Sequence, residues 1–422
     1  MKKKLLTFSL MGASLYAMPF LSLGYKSVSM GGACVASSAN SLAVYNNPAL
    51  LAKNKKEWEF SAGGGISTYD HGASASIQRL DDIDFLDTLD KASNDIEALT
   101  LEERKTLIEG KNIILDMDNN AVDLNPQGYI GGKINNIGFG IFGYSDAAAI
   151  AKVSQAHNEL IFENDGHYYK LDDNGNYQMS NAAEYRTRSM QYALEEGLSY
   201  LRVKGIAIYE VPIGYGHKFE LSGGDLMVGG ALKYMHGNSY VEKYKIDNSG
   251  SLSGDDSKKD ASSSNFSFDL GIAYIPSFAR DMTLALVAKN LTSPKFDTIT
   301  GDDIKLDPLV RVGLAYNIFN SLEFALDYDI TSNKTVVPEA DYQVIGGGLN
   351  WHPNDWFSLR GGLMENLASE DRAGLTYTAG LGIGFTKFSL DVSGCYSSNQ
   401  SKLDSTEVPT YAKINLAIVS KW

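Results

Sequence analysis

From about residue 57 to the C-terminus, apolar and polar positions alternate with period two, the pattern of strands that present one apolar face. In residues 321–330, Leu322, Phe324, Leu326, Tyr328 and Ile330 share one face, while Glu323, Ala325, Asp327 and Asp329 share the other. Residues 374–385 set Leu375, Tyr377, Leu381, Ile383 and Phe385 against Thr376, Thr378, Gly380, Gly382 and Gly384. Breaking the chain at turn residues predicts strands near 57–69, 124–134, 137–150, 202–218, 226–244, 265–276, 281–290, 308–318, 320–331, 341–351, 356–365, 374–385, 387–397 and 409–421.

A soluble sandwich would alternate too, so strand length and connection length decide. The count is about fourteen, an even number of segments about ten residues long, as a transmembrane barrel requires. Short turns, such as Asn135-Asn136 and Phe319-Asn320, alternate with long connections at 70–123, 151–201, 245–264, 291–307, 332–340, 366–373 and 398–408. That asymmetry is the outer-membrane arrangement, with the short turns and both termini on the periplasmic side. The expected fold is therefore all-β, a transmembrane antiparallel barrel of residues 56–422 with large extracellular loops 70–123 and 151–201.

Helical patterning interrupts the first large loop. Thr100 and Glu103 have capping-box spacing, Gly110 reads as a stop, and Ile83, Leu86 and Leu89 repeat at helical spacing, so a pair of short helices is expected over 82–110. Residues 189–197 suggest another in the second loop. Either set could cap the barrel mouth or bind a partner.

The N-terminus sets the compartment. Lys2, Lys3 and Lys4 precede an apolar stretch to Phe20, too short and too poorly flanked to span a membrane, so 1–22 reads as a secretory signal peptide with cleavage near Ala17, Ser22 or Gly24. No run of 18 apolar residues follows, so no transmembrane helix is expected. Residues 23–55 do not alternate; with Gly31-Gly32 and the tight-turn sequence Asn47-Pro48-Ala49 they form a compact small-residue segment able to fill a lumen.

Composition agrees with many strands: 41 Gly, 24 Tyr and 17 Phe against 10 Pro and 2 Cys in 422 residues. A net charge of −14 argues against nucleic acid as a partner. Cys34 and Cys395 read as small buried residues, with a bridge in an oxidising periplasm as the other reading. No histidine pair has metal-ligand spacing, and no Ser and His are singled out as a barrel lipase needs, so no catalytic residues, metal or cofactor are expected, and the chain does not read as an enzyme. Asp172 to Asn176 places its Gly at the wrong offset for a calcium loop and reads as a hairpin turn.

On the predicted lumen faces, Asp269, Glu323, Asp327, Asp329 and Asp391 stand with Lys289, Arg311, Arg360 and Lys413, charges expected to pair with one another or with the N-terminal segment. Trp58, Trp351, Trp356 and Trp422 fall near the short-turn rim, suiting an aromatic girdle in outer-membrane lipid. Trp422 ends an apolar alternation through Ile414, Leu416 and Ile418, which resembles the signal read by barrel-assembly machinery.

Met30 to Ala33, then Ala43 to Ala49 and Leu51-Ala52, resemble the N-terminal hatch of the FadL-like outer-membrane proteins. The runs AKNLTSPKF, LDPLVRVGLAYN, LEFALDYDIT and WFSLRGG resemble a branch of that superfamily named TraF-like; together these motifs cover most of the mature chain. The resemblance implies a fourteen-stranded barrel closed by an N-terminal plug, with Asn47, Pro48 and Ala49 as a plug turn against the wall. It also implies passive movement of small hydrophobic molecules, leaving sideways through the wall. The sequence has no Cys-x-x-Cys, so no redox or pilus-assembly role is read from the branch name. The other reading is a surface or secretion-associated scaffold that binds proteins through its loops, and an open diffusion porin stands third because a plug would obstruct it.

Overall fold

A computed structural model of the chain describes residues 21–53, 58–246, 252–254, 259–299, 303–338, 340–354, 356–368, 373–385, 387–403 and 406–422. Residues 1–20, most of the expected signal peptide, lie outside the described residues. Fourteen antiparallel strands form one closed sheet. They are β1 (Trp58–Asp70), β2 (Ala121–Ile134), β3 (Ile137–Lys152), β4 (Tyr200–Leu221), β5 (Gly224–Ile246), β6 (Lys259–Pro276) and β7 (Met282–Lys289). The second half comprises β8 (Leu309–Phe319), β9 (Leu322–Asp329), β10 (Val344–Asn354), β11 (Phe357–Asn366), β12 (Thr376–Phe385), β13 (Phe388–Ser397) and β14 (Tyr411–Lys421). Each strand pairs with its sequence neighbour, and β1 pairs with β14 to close the wall. At that seam the Trp58 N–H donates to the Trp422 carbonyl at 3.2 Å and the Trp422 N–H donates to the Trp58 carbonyl at 2.9 Å.

The wall is inside-out relative to a soluble protein. Along β12, Thr376 and Thr378 are buried in the interior while Tyr377, Leu381, Ile383 and Phe385 point outward and exposed. Such a surface is stable where hydrocarbon rather than water covers it, and closure leaves no strand edge unpaired. All four tryptophans are exposed near the short-turn rim. The fourteen strands and the alternation of short and long connections match the sequence-based expectation.

Residues 21–53 lie within the barrel, in α1 (Tyr25–Ser29), α2 (Ala43–Asn46) and a 3-10 turn, Pro48–Ala52. Leu42, Val44, Tyr45, Leu50 and Leu51 share one core with the inward Phe142, Ile206, Ile208, Met227 and Met235. The Tyr45 ring stacks on Phe142 at a centroid distance of 4.8 Å.

The first long loop differs from its expected helix pair. It holds three helices, α3 (Ala73–Asp82), α4 (Phe85–Asn94) and α5 (Leu101–Asp116). The Thr100–Glu103 capping box is present, but α5 runs through Gly110 rather than stopping there. A Cβ on Gly110 would lie 1.9 Å from the Phe85 ring, so this glycine admits a neighbouring helix instead of ending its own. The second loop carries the hairpin around Asp172 to Asn176 together with α6 (Ala182–Arg188) and α7 (Met190–Glu195). Phe85, Leu89, Leu107, Leu160, Phe162, Met190 and Leu194 form a separate core, so both loops fold as one unit.

Candidate functional site in the lumen

The segment inside the barrel is seated by missing side chains. Gly31 has φ of +64°, and a Cβ there would stand 2.2 Å from the Leu363 carbonyl oxygen and 2.6 Å from that of Gly347. Only glycine combines that backbone angle with that approach. Opposite it, Gly346 and Gly362 leave room for the Gly31 backbone, and the Gly31 N–H donates to Thr378 Oγ1 at 3.0 Å. Gly32 follows at φ +83° and gives its carbonyl to Arg311 at 3.4 Å.

Asn47 caps the 3-10 turn: Oδ1 accepts from the Ala49 N–H at 3.1 Å and Nδ2 donates to the Val35 carbonyl at 2.9 Å. A Cβ at Gly271 would fall 1.9 Å from Asn47 Oδ1, and one at Gly229 would fall 2.3 Å from the Pro48 carbonyl. The Asn47-Pro48-Ala49 turn thus rests on bare backbone of β5 and β6.

The charged lumen residues hold both the N-terminal segment and the wall. Glu323 and Asp327 reach the N-terminal segment: Lys26 Nζ lies 2.6 Å from Glu323, and Asp327 Oδ2 accepts from the N–H groups of Cys34 at 2.7 Å and Val35 at 2.9 Å. Other charges pair across the wall, and several of these also touch the N-terminal segment. Arg311 grips Asp329 with two bonds of 2.5 and 2.9 Å, Arg360 meets Asp391 at 2.7 Å, and Lys233 lies 3.0 Å from Asp269 and 3.2 Å from Glu210. Lys289 has its ammonium 3.3 Å from the centroid of the Tyr45 ring. Lys26, Lys233, Glu210 and Glu59, whose carboxylate accepts from Ser41 N–H at 3.0 Å, were not singled out in the sequence. The readable signal for Lys26 was a single cation in a stretch of small residues.

Above the segment, on the long-loop side, lies a cavity of about 100 Å³. Leu21, Val28, Val344, Met364 and the rings of Tyr69, Tyr342 and Tyr411 supply apolar surface, with Lys413, Arg311, Thr376 and Cys395 at its polar side. Lys413 Nζ donates to the Ser22 carbonyl at 3.0 Å and to Gln127 Oε1 at 3.1 Å, tying the floor to the wall. Cys34 and Cys395 are both free and buried.

The ladders on both sides of β3 are interrupted. Its ladder with β2 is continuous from Gln127 down but skips residues 124–126, where Pro126 has no N–H to give. There Asn125 Oδ1 accepts instead from the Ala147 N–H at 2.9 Å. On its other side, pairing with β4 skips the stretch containing Pro212. Outside the wall, Ser264 Oγ lies 2.8 Å from both His236 Nδ1 and Tyr234 Oη. This cluster sits where outward residues change from Phe266 and Phe268 below to Ser262 and Asp260 above, so it belongs to an aromatic belt. Among the described residues, no group of His, Cys, Asp and Glu could hold a metal ion.

Residues 44–329 match the model of a family described as F plasmid transfer operon, TraF, protein. No curated protein matches the chain. Among solved structures, the toluene transporter TbuX of Ralstonia pickettii is 12% identical with a TM-score of 0.50, covering 94% of this chain and 97% of that one. The toluene transporter TodX of Pseudomonas putida is 12% identical with a TM-score of 0.50, over 96% and 99% of the two chains. A deltaS2 mutant of the TodX monoaromatic hydrocarbon channel is 11% identical with a TM-score of 0.51, over 95% and 98%. At such identities the shared property is the fold.

Proposed function

The chain belongs to the family described as F plasmid transfer operon, TraF, protein and has the FadL-like barrel fold, and from this premise we propose that it is a passive outer-membrane route for small hydrophobic molecules. In this reading residues 1–22 are the export signal, 23–55 the plug and 56–422 the wall, with the short turns in the periplasm. Trp422 then serves as the terminal signal for barrel-assembly machinery.

The observation that carries the reading is the cavity of about 100 Å³ between the plug and the long-loop rim. Its tyrosine, methionine and aliphatic lining offers a small molecule a desolvated surface, and transfer of apolar area from water is favourable by about 25 cal/mol per Å². The volume suits a single ring or a short chain. The plug blocks a straight aqueous path below it, and the interrupted ladders flanking β3 offer a lateral exit into lipid. No nucleotide motif is present, so movement follows the gradient.

Binding of toluene to the purified protein in detergent, read by calorimetry, tests the reading. Wild type is expected to bind with Met364→Trp, which fills the cavity, losing binding at least tenfold. Large steady currents in planar bilayers, or toluene binding unaffected by Met364→Trp, would overturn it. The second reading is a protein-binding scaffold; it is favoured by the separate core that folds loops 70–123 and 151–201 into one outer unit. It predicts that the wild-type protein binds no toluene in the same calorimetry.

A further inference from the structure

We propose that the connection between β9 and β10 is a strap that seals the cavity from the medium and leaves the far wall when a molecule enters. The proposal rests on the cavity being a ligand site. In the closed sheet of fourteen strands, β9 and β10 stand seven positions from β2 and β3 in either direction, diametrically across the barrel. A link between adjacent strands needs only to turn. This one instead crosses the lumen: the Val336 N–H donates to Asp146 Oδ2 on β3 at 3.0 Å.

The crossing limb is buried. Asn333, Thr335, Val336 and Val337 are each under 5% exposed, and the two valines share a cluster with Ala121, Ala148 and Ile150 of β2 and β3. The returning limb brings Tyr342 over the cavity, its ring edge-on to Tyr69 at 6.2 Å. The strap therefore contributes Tyr342 to the ceiling of the cavity while its crossing limb is anchored on the opposite wall. Its contact there is small, a patch of alanine, valine and isoleucine with one hydrogen bond, to the Asp146 carboxylate. A contact of that size separates without disturbing the strands, because the crossing limb is otherwise tied to the returning limb of its own hairpin, Asn333–Lys334 with Asp341–Tyr342, and that returning limb is held on the home side, where Asn366 Nδ2 of β11 donates to the Asp341 carbonyl at 2.9 Å.

Cys395 lines the cavity and reports on the ceiling, while Cys34 is fully buried in the segment below and serves as the internal control. The experiment measures modification of each thiol by a small cationic methanethiosulfonate on the purified full-length barrel. Folding is checked by the heat-dependent shift on gels. Asp146→Ala, and a double variant Val336→Ser with Val337→Ser, are expected to label Cys395 at least tenfold faster than wild type with Cys34 unchanged. A third protein with 333–341 replaced by three glycines guards against misfolding of the first two and is expected to label fastest. Equal Cys395 rates in wild type and the strap-replaced protein would overturn the proposal. Fast labelling without toluene binding would leave the strap standing and remove the transport reading instead.

Discussion

Cys34 donates its backbone N–H to Asp327 at 2.7 Å across 293 positions of sequence, and Val35 donates to the same oxygen at 2.9 Å. One carboxylate on β9 thus holds the middle of the N-terminal segment by its backbone. Hydrogen bonds to a charged acceptor contribute about 1.5–3 kcal/mol each. Asp327→Ala is expected to leave the barrel intact but free this stretch, so that Cys34 becomes reactive to thiol reagents in the folded protein. Unchanged protection of Cys34 would mean that the plug is held elsewhere.

The seat at Gly31 predicts a sharper effect from a smaller change. Gly31→Ala puts a methyl group into the Leu363 and Gly347 carbonyls at a positive φ. The plug is expected to leave its seat while the strands still close, giving a heat-modifiable barrel with higher conductance in planar bilayers than wild type. Gly166→Ala, also at positive φ but with nothing within 4 Å, separates backbone strain from lost room.

Lys233 is 1% exposed between Glu210 and Asp269. Removing the cation alone leaves two buried carboxylates facing each other, a loss of about 3–5 kcal/mol for a broken buried pair. Lys233→Met is therefore expected to lower the urea midpoint of unfolding clearly. Adding Glu210→Gln and Asp269→Asn to the same protein should restore most of it, which tests the charge rather than the shape.

In the outer unit, the Lys91 ammonium and the Thr100 cap hold the Glu103 carboxyl down to about 2. A group held below its unfolded value contributes stability above that unfolded value, and the contribution disappears as pH falls through the folded one. The start of α5 is thus expected to be firm above about pH 4.5 and to loosen progressively toward pH 2. Hydrogen exchange of residues 100–104 against pH measures this, and Glu103→Ala should remove the pH dependence along with the protection.

The wall was legible because lipid and a filled lumen impose opposite chemistries on alternate residues, so period two survives along nearly every strand. Helices were harder. Residues 73–82 read ASASIQRLDD, with too few apolar positions to show a helical stripe, and Gly110 gave a stop signal because its real role, making room for Phe85, depends on another helix. Within the lumen, alternation places Asp327 and Arg311 on the inner face but says nothing of what they hold: the partner of Asp327 is 293 positions away. Lys289 faces the Tyr45 ring, a pairing that only the folded N-terminal segment creates. The strap was invisible for the same reason, since 332–340 is short and unremarkable until the closed sheet puts β3 across from it.

The seam between Trp58 and Trp422 joins the first strand to the last residue of the chain, and the plug lies inside what that seam closes. Ser29, near the start, accepts a hydrogen bond from Thr378 some 349 positions later. Native contacts of this separation make folding slow, because loop-closure entropy is lost before the contacts return it. The plug's seat is built from strands synthesised long after it, so the N-terminal segment waits without a partner while the wall is assembled around it. Completion of the barrel is accordingly expected to wait on the C-terminal strand, and truncating the chain by its last strand should leave the N-terminal segment as exposed to protease as in the unfolded protein.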